Sequence, residues 1–261
     1  MPRSPALAAA AVLSLLAFSP ARAATVNQTI EGTSLAIDVS CVDKVDIQPQ
    51  ADLVGKVMVG ATSSNADDLK DFVFTGGTTA SVTQPSHPVC IKITDTTRKI
   101  LVSIKVPQGM AIDIKDAGST DYAIGTVGGS LQARMAGSGN VAAEAVTSLD
   151  LDIKGSSDAR IGHLSGPADI RIAGSGDVKI GEATIPSMKI EVRGSGNVSV
   201  DAGRIDALAA SVAGSGDLHI QATVKDASLS SAGSGDIEVT KVTGSLSSSK
   251  AGSGSIHAGR S

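Results

Sequence analysis

The side chains best suited to binding a metal ion lie in one column of a repeated sequence. His219, Glu238 and His257 each follow a repeated Gly-Ser-Gly corner at the same distance, five residues after its first glycine. Imidazole and carboxylate groups are ligands of Zn²⁺, so these three residues are a candidate metal site. The alternative is an exposed polar ladder, because earlier repeats place unrelated residues in the same column: Ala123, Arg160, Lys179 and Ser199. We therefore assign no metal ion to this column, and we predict no cofactor.

Carboxylates recur at the fourth position of the same corners. Asp158 and Asp177 fall in neighbouring repeats, and so do Asp217 and Asp236. Glycoside hydrolysis needs one protonated carboxyl group and one ionised partner at a set separation, which a ladder of equivalent turn residues does not supply. Aspartate and asparagine are also common in turns because their side chains bond to nearby backbone. The ladder therefore favours a structural role, and no other catalytic motif is present.

These residues are positioned by an internal repeat. The corner Gly-Ser-Gly-Asp/Asn and its variants occur eight times at intervals of 18 to 20 residues. A glycine in every copy indicates a bend with no room for a side chain, and we place it on the inward side. The eight structural glycines are Gly118, Gly137, Gly155, Gly174, Gly194, Gly214, Gly233 and Gly252.

Apolar residues flank each corner two positions apart. They lie six and four residues before the first glycine, as in Leu149 and Leu151, and four and six residues after it, as in Val178 and Ile180. This alternation is typical of strands with one buried face, and Tyr122 falls on that face. A third inward contact is expected in the connectors, for example at Leu164 and Ile185.

A single unit of about 19 residues cannot bury its own apolar face, whereas stacked units can. We therefore predict an all-β fold, a single-chain parallel β-solenoid or β-helix, with regular rungs over 111–261. Only 2% of the residues are aromatic, as suits a narrow aliphatic core. Residues 24–110 lack the corner and are interpreted as an irregular β cap with leading rungs, continuous with the solenoid, in which Phe72 and Phe74 plug the end.

The N-terminus has the features of a secretory signal peptide over 1–23. A basic start precedes an apolar run over 6–18 and the small-x-small site Ala21-Arg22-Ala23. Without this segment the net charge falls from −4 to −6, because Arg3 and Arg22 leave with it. An acidic chain argues against a nucleic-acid partner. No later segment is apolar enough to be an integral membrane span. The expected location is the periplasm or the cell surface.

Two cysteines, Cys41 and Cys90, remain after residue 23. An even count in an exported protein favours one disulfide, and two buried thiols are the alternative. Such a bridge would clamp the N-terminal cap.

The repeated corners, the strand Leu149–Ile153 and the segment 99–107 together resemble the head GIN domain family, described as putative auto-transporter adhesin heads. The resemblance extends over roughly 42–255. It implies a β-solenoid at the bacterial envelope or exterior, and it supplies no catalytic residues.

The last rungs lose their apolar interior. Two residues before the corner glycine, Ser231 and Lys250 replace residues such as Val192 and Val212. We expect this end to fray or to dock to a partner, and end-to-end self-association is one form of docking.

The predicted function is that of an exported, non-enzymatic β-solenoid that presents a surface for binding or adhesion. Its partner would be an unidentified protein or glycan. The alternative is a polysaccharide-active enzyme of the lyase or hydrolase type. A groove where carboxylates and basic residues converge would favour the enzyme, and flat regular ladders would favour the presenting rod.

Overall fold

The computed structural model describes residues 23–84 and 99–260. Within these ranges the chain is nearly all strand, with one 3₁₀ helix at Ala66–Leu69 and no α-helix. The first ten strands are β1 (Ala24–Glu31), β2 (Ser34–Asp38), β3 (Lys44–Pro49), β4 (Lys56–Ser63), β5 (Val73–Thr75), β6 (Thr79–Thr83), β7 (Ile100–Val106), β8 (Ala111–Asp116), β9 (Asp121–Ile124) and β10 (Ser130–Met135). The others are β11 (Val141–Val146), β12 (Ser148–Ile153), β13 (Ala159–Leu164), β14 (Ala168–Ile172), β15 (Val178–Val192), β16 (Val198–Val212), β17 (Leu218–Gly233), β18 (Ile237–Val242), β19 (Leu246–Gly252) and β20 (Ile256–Arg260).

The regular turns form two parallel stacks joined at the glycine corners. Strands β8, β10, β12 and β14 pair in sequence in the first stack, and β9, β11 and β13 pair in the second. The long strands β15, β16 and β17 bend through both stacks and pair with one another. This is the predicted parallel β-solenoid, with about eight turns of about 19 residues.

The apolar columns take the predicted register. Leu151 pairs with Ala133 on one side and Ile170 on the other, and all three are fully buried. Tyr122 is only 2% exposed and lies under Val141 in its column. The connectors are less regular, because Leu164 pairs with Ala183 rather than with the expected Ile185. Ile185 is still buried and pairs with Ile205 in the next turn.

The N-terminal strands do not stack in chain order. β2 pairs with β6 on one side and with β8 on the other. In the same way β3 lies between β7 and β9. The turn made of β2 and β3 is therefore inserted between the later pair β6–β7 and the regular solenoid. The N-terminal region contains solenoid turns, as expected, but their spatial order differs from their order in the sequence.

Antiparallel strands lie at the N-terminal end of the stacks. β1 pairs with β4, β4 pairs with β7, and β5 pairs with β6, all antiparallel. Phe72 is buried and Phe74 half-buried, with their rings stacked 6.0 Å apart. Residues 1–22 and Cys90 lie outside the described residues, so the signal peptide and the disulfide partner stay predictions. Cys41 is not a free thiol.

The corner glycines are crowded by backbone of the preceding turn rather than by the core. A Cβ added to Gly137 would lie 1.8 Å from the carbonyl oxygen of Gly118, and the other corners repeat this clash at 2.0–2.2 Å. The first glycine is half-buried at seven of the eight corners and exposed at Gly252. It is the third corner position that faces inward, where Thr120 and Ser157 are fully buried. Hydrogen is the only substituent that fits between stacked corners.

The C-terminal turn is open. Among the described strands, β19 pairs only with β17, and β20 pairs only with β18. Ser231 is buried and its hydroxyl donates to the carbonyl oxygen of Gly235 at 3.1 Å. Lys250, in the same inward column, is exposed. An inward-facing charge on a terminal strand is a known feature of strands that resist pairing with another chain.

A buried carboxylate occupies this inward column at the opposite end of the regular turns. Asp116 is 4% exposed, and its two oxygens accept the backbone N–H groups of Gly118 at 2.5 Å and Thr120 at 3.1 Å. Burial raises the pKa of Asp116 above its usual 3.8, although these two hydrogen bonds act in the opposite direction. Later turns place Met135 and Ile153 at this position.

The raised pKa of Asp116 predicts a pH dependence of stability. Folded protein binds this proton more tightly than unfolded protein, so the free energy of unfolding should fall as pH rises from 3.8 through the raised pKa. Asp116→Asn should remove this component, and Asp113→Asn, on the outward face of the same strand, should keep it. Urea unfolding followed by circular dichroism over this pH range measures the difference. Parallel stability profiles for the wild type and Asp116→Asn would contradict it.

Candidate functional site

The fourth-position carboxylates and amides form a hydrogen-bonded ladder between turns. The Oδ1 atom of Asp158 accepts the backbone N–H of Asp177 at 2.9 Å, and that of Asp177 accepts the N–H of Asn197 at 2.8 Å. The pattern continues through Asp217 and Asp236, where distances are also 2.8–2.9 Å. These side chains accept hydrogen bonds from the backbone of the next turn. The turn propensity of aspartate and asparagine predicts bonds to the backbone of their own turn instead. Hydrogen bonds from the hydroxyl and N–H of Ser255 lower the pKa of Asp236.

The candidate metal column does not assemble three ligands. His219 Nδ1 lies 2.9 Å from Glu238 Oε2, and its Nε2 lies 2.8 Å from Gln221 Nε2. Both ring nitrogens therefore have protein partners. His257 follows Glu238 in register, yet among the described residues there is no group of three or more His, Cys, Asp or Glu side chains that could hold a metal ion. The structure therefore does not support a metal site in this column, because His219 contacts Glu238 and Gln221 and the three candidate residues do not form a ligand group.

A groove of about 1000 Å³ runs along the first stack. We call it the long groove. Seven successive turns line it, from 130–132 to 245–247, and it is about 29 Å long at ~4.8 Å per turn. Its exposed lining is made of small side chains over much of its length: Ser187, Ala207, Ala209, Ser228, Ser245 and Ser247.

Two carboxylates of the long groove pair with Arg171, which is not one of the residues that line it. Asp150 and Asp169 are neighbours in register, and Arg171 contacts both of them, with 3.3 Å between its Nη1 and Asp150 Oδ1. Gln132 Nε2 also donates to Asp150 at 2.8 Å. Two carboxylates that share one guanidinium are arranged as ion-pair partners.

The C-terminal end of the long groove holds a third carboxylate. Asp226 Oδ1 accepts the hydroxyl of Ser245 at 2.6 Å and its N–H at 2.8 Å. These bonds lower the pKa of Asp226, whereas a glycosidase acid needs a raised pKa. The groove thus offers a long, shallow surface with fixed polar groups, suited to contacting an extended molecule.

Comparison with known families identifies the chain. A family model described as "Putative auto-transporter adhesin, head GIN domain" matches residues 81–223, which is more than half of the sequence. The chain belongs to this head GIN domain family. The resemblance noted in the sequence is thereby confirmed. No curated protein matches the sequence.

Solved structures share the fold at low sequence identity. A putative adhesin from Bacteroides fragilis has a TM-score of 0.59 and 20% identity, covering 91% of this chain and 97% of its own. A putative lipid binding protein from Parabacteroides distasonis has the same TM-score and 17% identity, covering 91% and 96%. At this identity the likeness shows the fold alone. Within the described residues, no helix is long and apolar enough to cross a membrane.

Sequence reasoning found the columns but missed the long groove. The columns follow from the spacing of residues, whereas the groove lies across the beginnings of the first-stack strands, and spacing does not predict a depression there. One signal was present, because small residues such as Ser130, Ser148 and Ser187 recur seven positions before the corner glycine. The register pairs Arg171 with Asp152 and Glu191, so its ion pairs with Asp150 and Asp169 do not follow from the columns.

The corner ladder predicts a structural role for its carboxylates. Asp177→Ala removes the acceptor for the N–H and the side-chain amide of Asn197, at 2.8 and 3.0 Å. We expect the free energy of unfolding to fall by about 1 kcal/mol. Ser175→Ala at the same exposed corner is the control and should change it by less than about 0.5 kcal/mol. Equal unfolding midpoints in urea for Asp177→Ala and the wild type would contradict the ladder's contribution.

Proposed function

We propose that this protein is an exported, non-enzymatic β-solenoid that binds a ligand along its side in adhesion at the bacterial envelope. The observation that carries the proposal is the long groove, which is continuous over seven turns and lined by small side chains. The family match to adhesin heads supports the same function.

An extended ligand fits the shape of this groove. The groove is open along its length, and each turn repeats similar contacts at the turn spacing. A glycan chain or an extended protein segment could make the same contacts with successive turns. Serine hydroxyls such as those of Ser187 and Ser228 both donate and accept hydrogen bonds, and aspartate carboxylates accept them.

A non-enzymatic role accounts for the contacts that the carboxylates of the long groove make. Asp150 and Asp169 share Arg171, and Asp226 is held by Ser245. The alternative, a polysaccharide-active enzyme, has one observation in its favour, because two carboxylates that line the long groove do contact a basic residue, Arg171. It requires a carboxyl group that stays protonated near neutral pH, and the groove's electrostatics oppose this at Asp226.

Export is part of the proposal. Residues 1–23 would direct secretion, and a Cys41–Cys90 disulfide would then form in an oxidising compartment. End-to-end self-association through the open C-terminal turn remains a prediction that the sedimentation mass of the purified protein tests. The exposed Lys250 in the terminal inward column works against such pairing.

Binding along the long groove can be tested by filling it. Ser187→Arg places a long charged side chain in the middle of the groove, where its neighbour in register is Ala207. We expect binding to glycans on an array, or to bacterial and host cell surfaces, to fall at least tenfold for this variant. Purified protein incubated with the bound polysaccharide should release no shortened products.

Ser175→Arg is the matched control, because it adds the same side chain at an exposed corner outside the groove. It should bind as the wild type does. Equal binding by the wild type and Ser187→Arg would show that the long groove is not the binding site. Release of shortened polysaccharide would show that the protein is an enzyme rather than an adhesin.

A further inference from the structure

Two cations lie side by side on the outward face of the second stack. Arg160 of β13 and Lys179 of β15 are partners in register, so their backbones are one strand spacing apart, about 4.8 Å. Their neighbours in the column are the uncharged Ala142 below and Ser199 above. Like charges directly opposite each other destabilise a sheet. This pairing therefore costs stability rather than adding to it.

Arg160 differs from four other arginines of the regular turns. Arg134, Arg171, Arg193 and Arg204 each contact a carboxylate at 3.3 Å or less. Arg160 has no ion pair or hydrogen bond with any residue that the structure describes, and its side chain is exposed. Lys179 is paired with Asp201, with 2.8 Å between Nζ and Oδ2. One complete guanidinium fork is thus left available beside a second cation.

A second groove of about 430 Å³, here called the short groove, is lined by these two cations. Gly162 and Gly181 leave backbone exposed along it, and a Cβ at Gly162 would meet the carbonyl oxygen of Glu144 at 2.5 Å. Ala123 and Ala142 contribute methyl groups. The short groove lies on the second stack, whereas the long groove lies on the first.

Acidic groups near the short groove already have partners. Glu144, which also lines it, accepts the hydroxyl of Thr126 at 2.8 Å through Oε2. Gln48 at the N-terminal end of the groove donates to Asp46 at 2.9 Å. The free polar group of this site is therefore the Arg160 guanidinium, with the Lys179 ammonium next to it.

We propose that the short groove binds an acidic sugar, with Arg160 holding its carboxylate and Lys179 adding a second positive charge. A guanidinium presents donors in a fork that matches a carboxylate. The glycine backbone and alanine methyl groups form a shallow surface that a sugar ring can lie against. This site goes beyond the proposed function of the long groove, because it is a second surface with its own ligand class.

The composition of the protein favours an acidic sugar over a neutral one. The sequence has no tryptophan, one tyrosine and three phenylalanines, and Tyr122 is buried. Stacking on aromatic rings is thus absent from the described part of the short groove. A charge-assisted hydrogen bond, stronger than a neutral one by about a factor of two, supplies the affinity instead.

Titration calorimetry with trigalacturonate tests the site directly, with the neutral galactotriose of the same linkage as the comparison. We expect the wild type to bind trigalacturonate and to bind galactotriose at least tenfold more weakly. Arg160→Gln should weaken trigalacturonate binding by about tenfold or more, since a hydrogen bond to a charged group contributes about 1.5–3 kcal/mol. Arg160→Gln combined with Lys179→Gln should abolish it.

The pair Lys154→Gln and Arg193→Gln is the matched control, because it removes the same two charges at exposed corners. If this control loses as much affinity as the Arg160 and Lys179 variants, or if the two trisaccharides bind equally, the proposal is wrong. Displacement by equimolar inorganic phosphate would also overturn it, since a site for any small anion is not a sugar site.

Two further readouts separate this site from structure and from the long groove. Arg160→Gln should leave the thermal unfolding midpoint unchanged or raise it, because it relieves repulsion. A lowered midpoint would make Arg160 a structural residue and would contradict the proposal. Ser187→Arg should not alter trigalacturonate binding, so a failure of the long groove and a failure of the short groove give different results.

Discussion

The backbone contact between successive glycine corners determines how the rest of the molecule is arranged. The carbonyl oxygen of Gly118 accepts the N–H of Ser138 at 2.9 Å, and that of Gly137 accepts the N–H of Ser156 at 3.0 Å. The corners of the next turns repeat this bond at 2.9–3.0 Å as far as Ser234. A side chain at the first corner position would occupy the space of that carbonyl oxygen. Glycine thus permits one turn to lie directly on another.

Once the corners are in register, the side-chain columns follow. Inward positions meet their equivalents in the adjacent turns and form a continuous aliphatic core, as Leu151 does with Ala133 and Ile170. Outward side chains also contact side chains of the adjacent turns, so many polar contacts on the surface join one turn to the next. Asp177 bonds to Asn197, Arg171 to Asp150, and His219 to Glu238. In a few places, such as Arg160 with Lys179 and Asp150 with Asp169, the register brings like charges together.

The regular part of this fold could be predicted because the repeat places each apolar residue in a known column. The connectors could not, because Leu164 and Ala183 both lie nine residues after their corner glycine and pair, whereas the apolar Ile185 lies eleven residues after it. The insertion of β2 and β3 between later strands depends on pairings between distant segments, such as Ile37 with Ile114, and no repeated motif marks them. The sequence offered His219, Glu238 and His257 as a metal candidate beside an exposed polar ladder, and in the structure His219 pairs with Glu238. Both grooves are depressions across several turns, and the spacing of residues does not predict the depth of the surface.

The sign of one stability change tests the corner contact most directly. Glycine-to-alanine substitution usually stabilises a protein by about 0.4–1 kcal/mol where the backbone and space allow it, since it restricts the unfolded chain. At Gly137 the added methyl carbon would lie 1.8 Å from the Gly118 carbonyl oxygen, so the turns must separate. We expect Gly137→Ala to lower the free energy of unfolding by about 2 kcal/mol or more, as overpacked sites do, in urea unfolding followed by circular dichroism. An unchanged or increased free energy of unfolding would contradict the account.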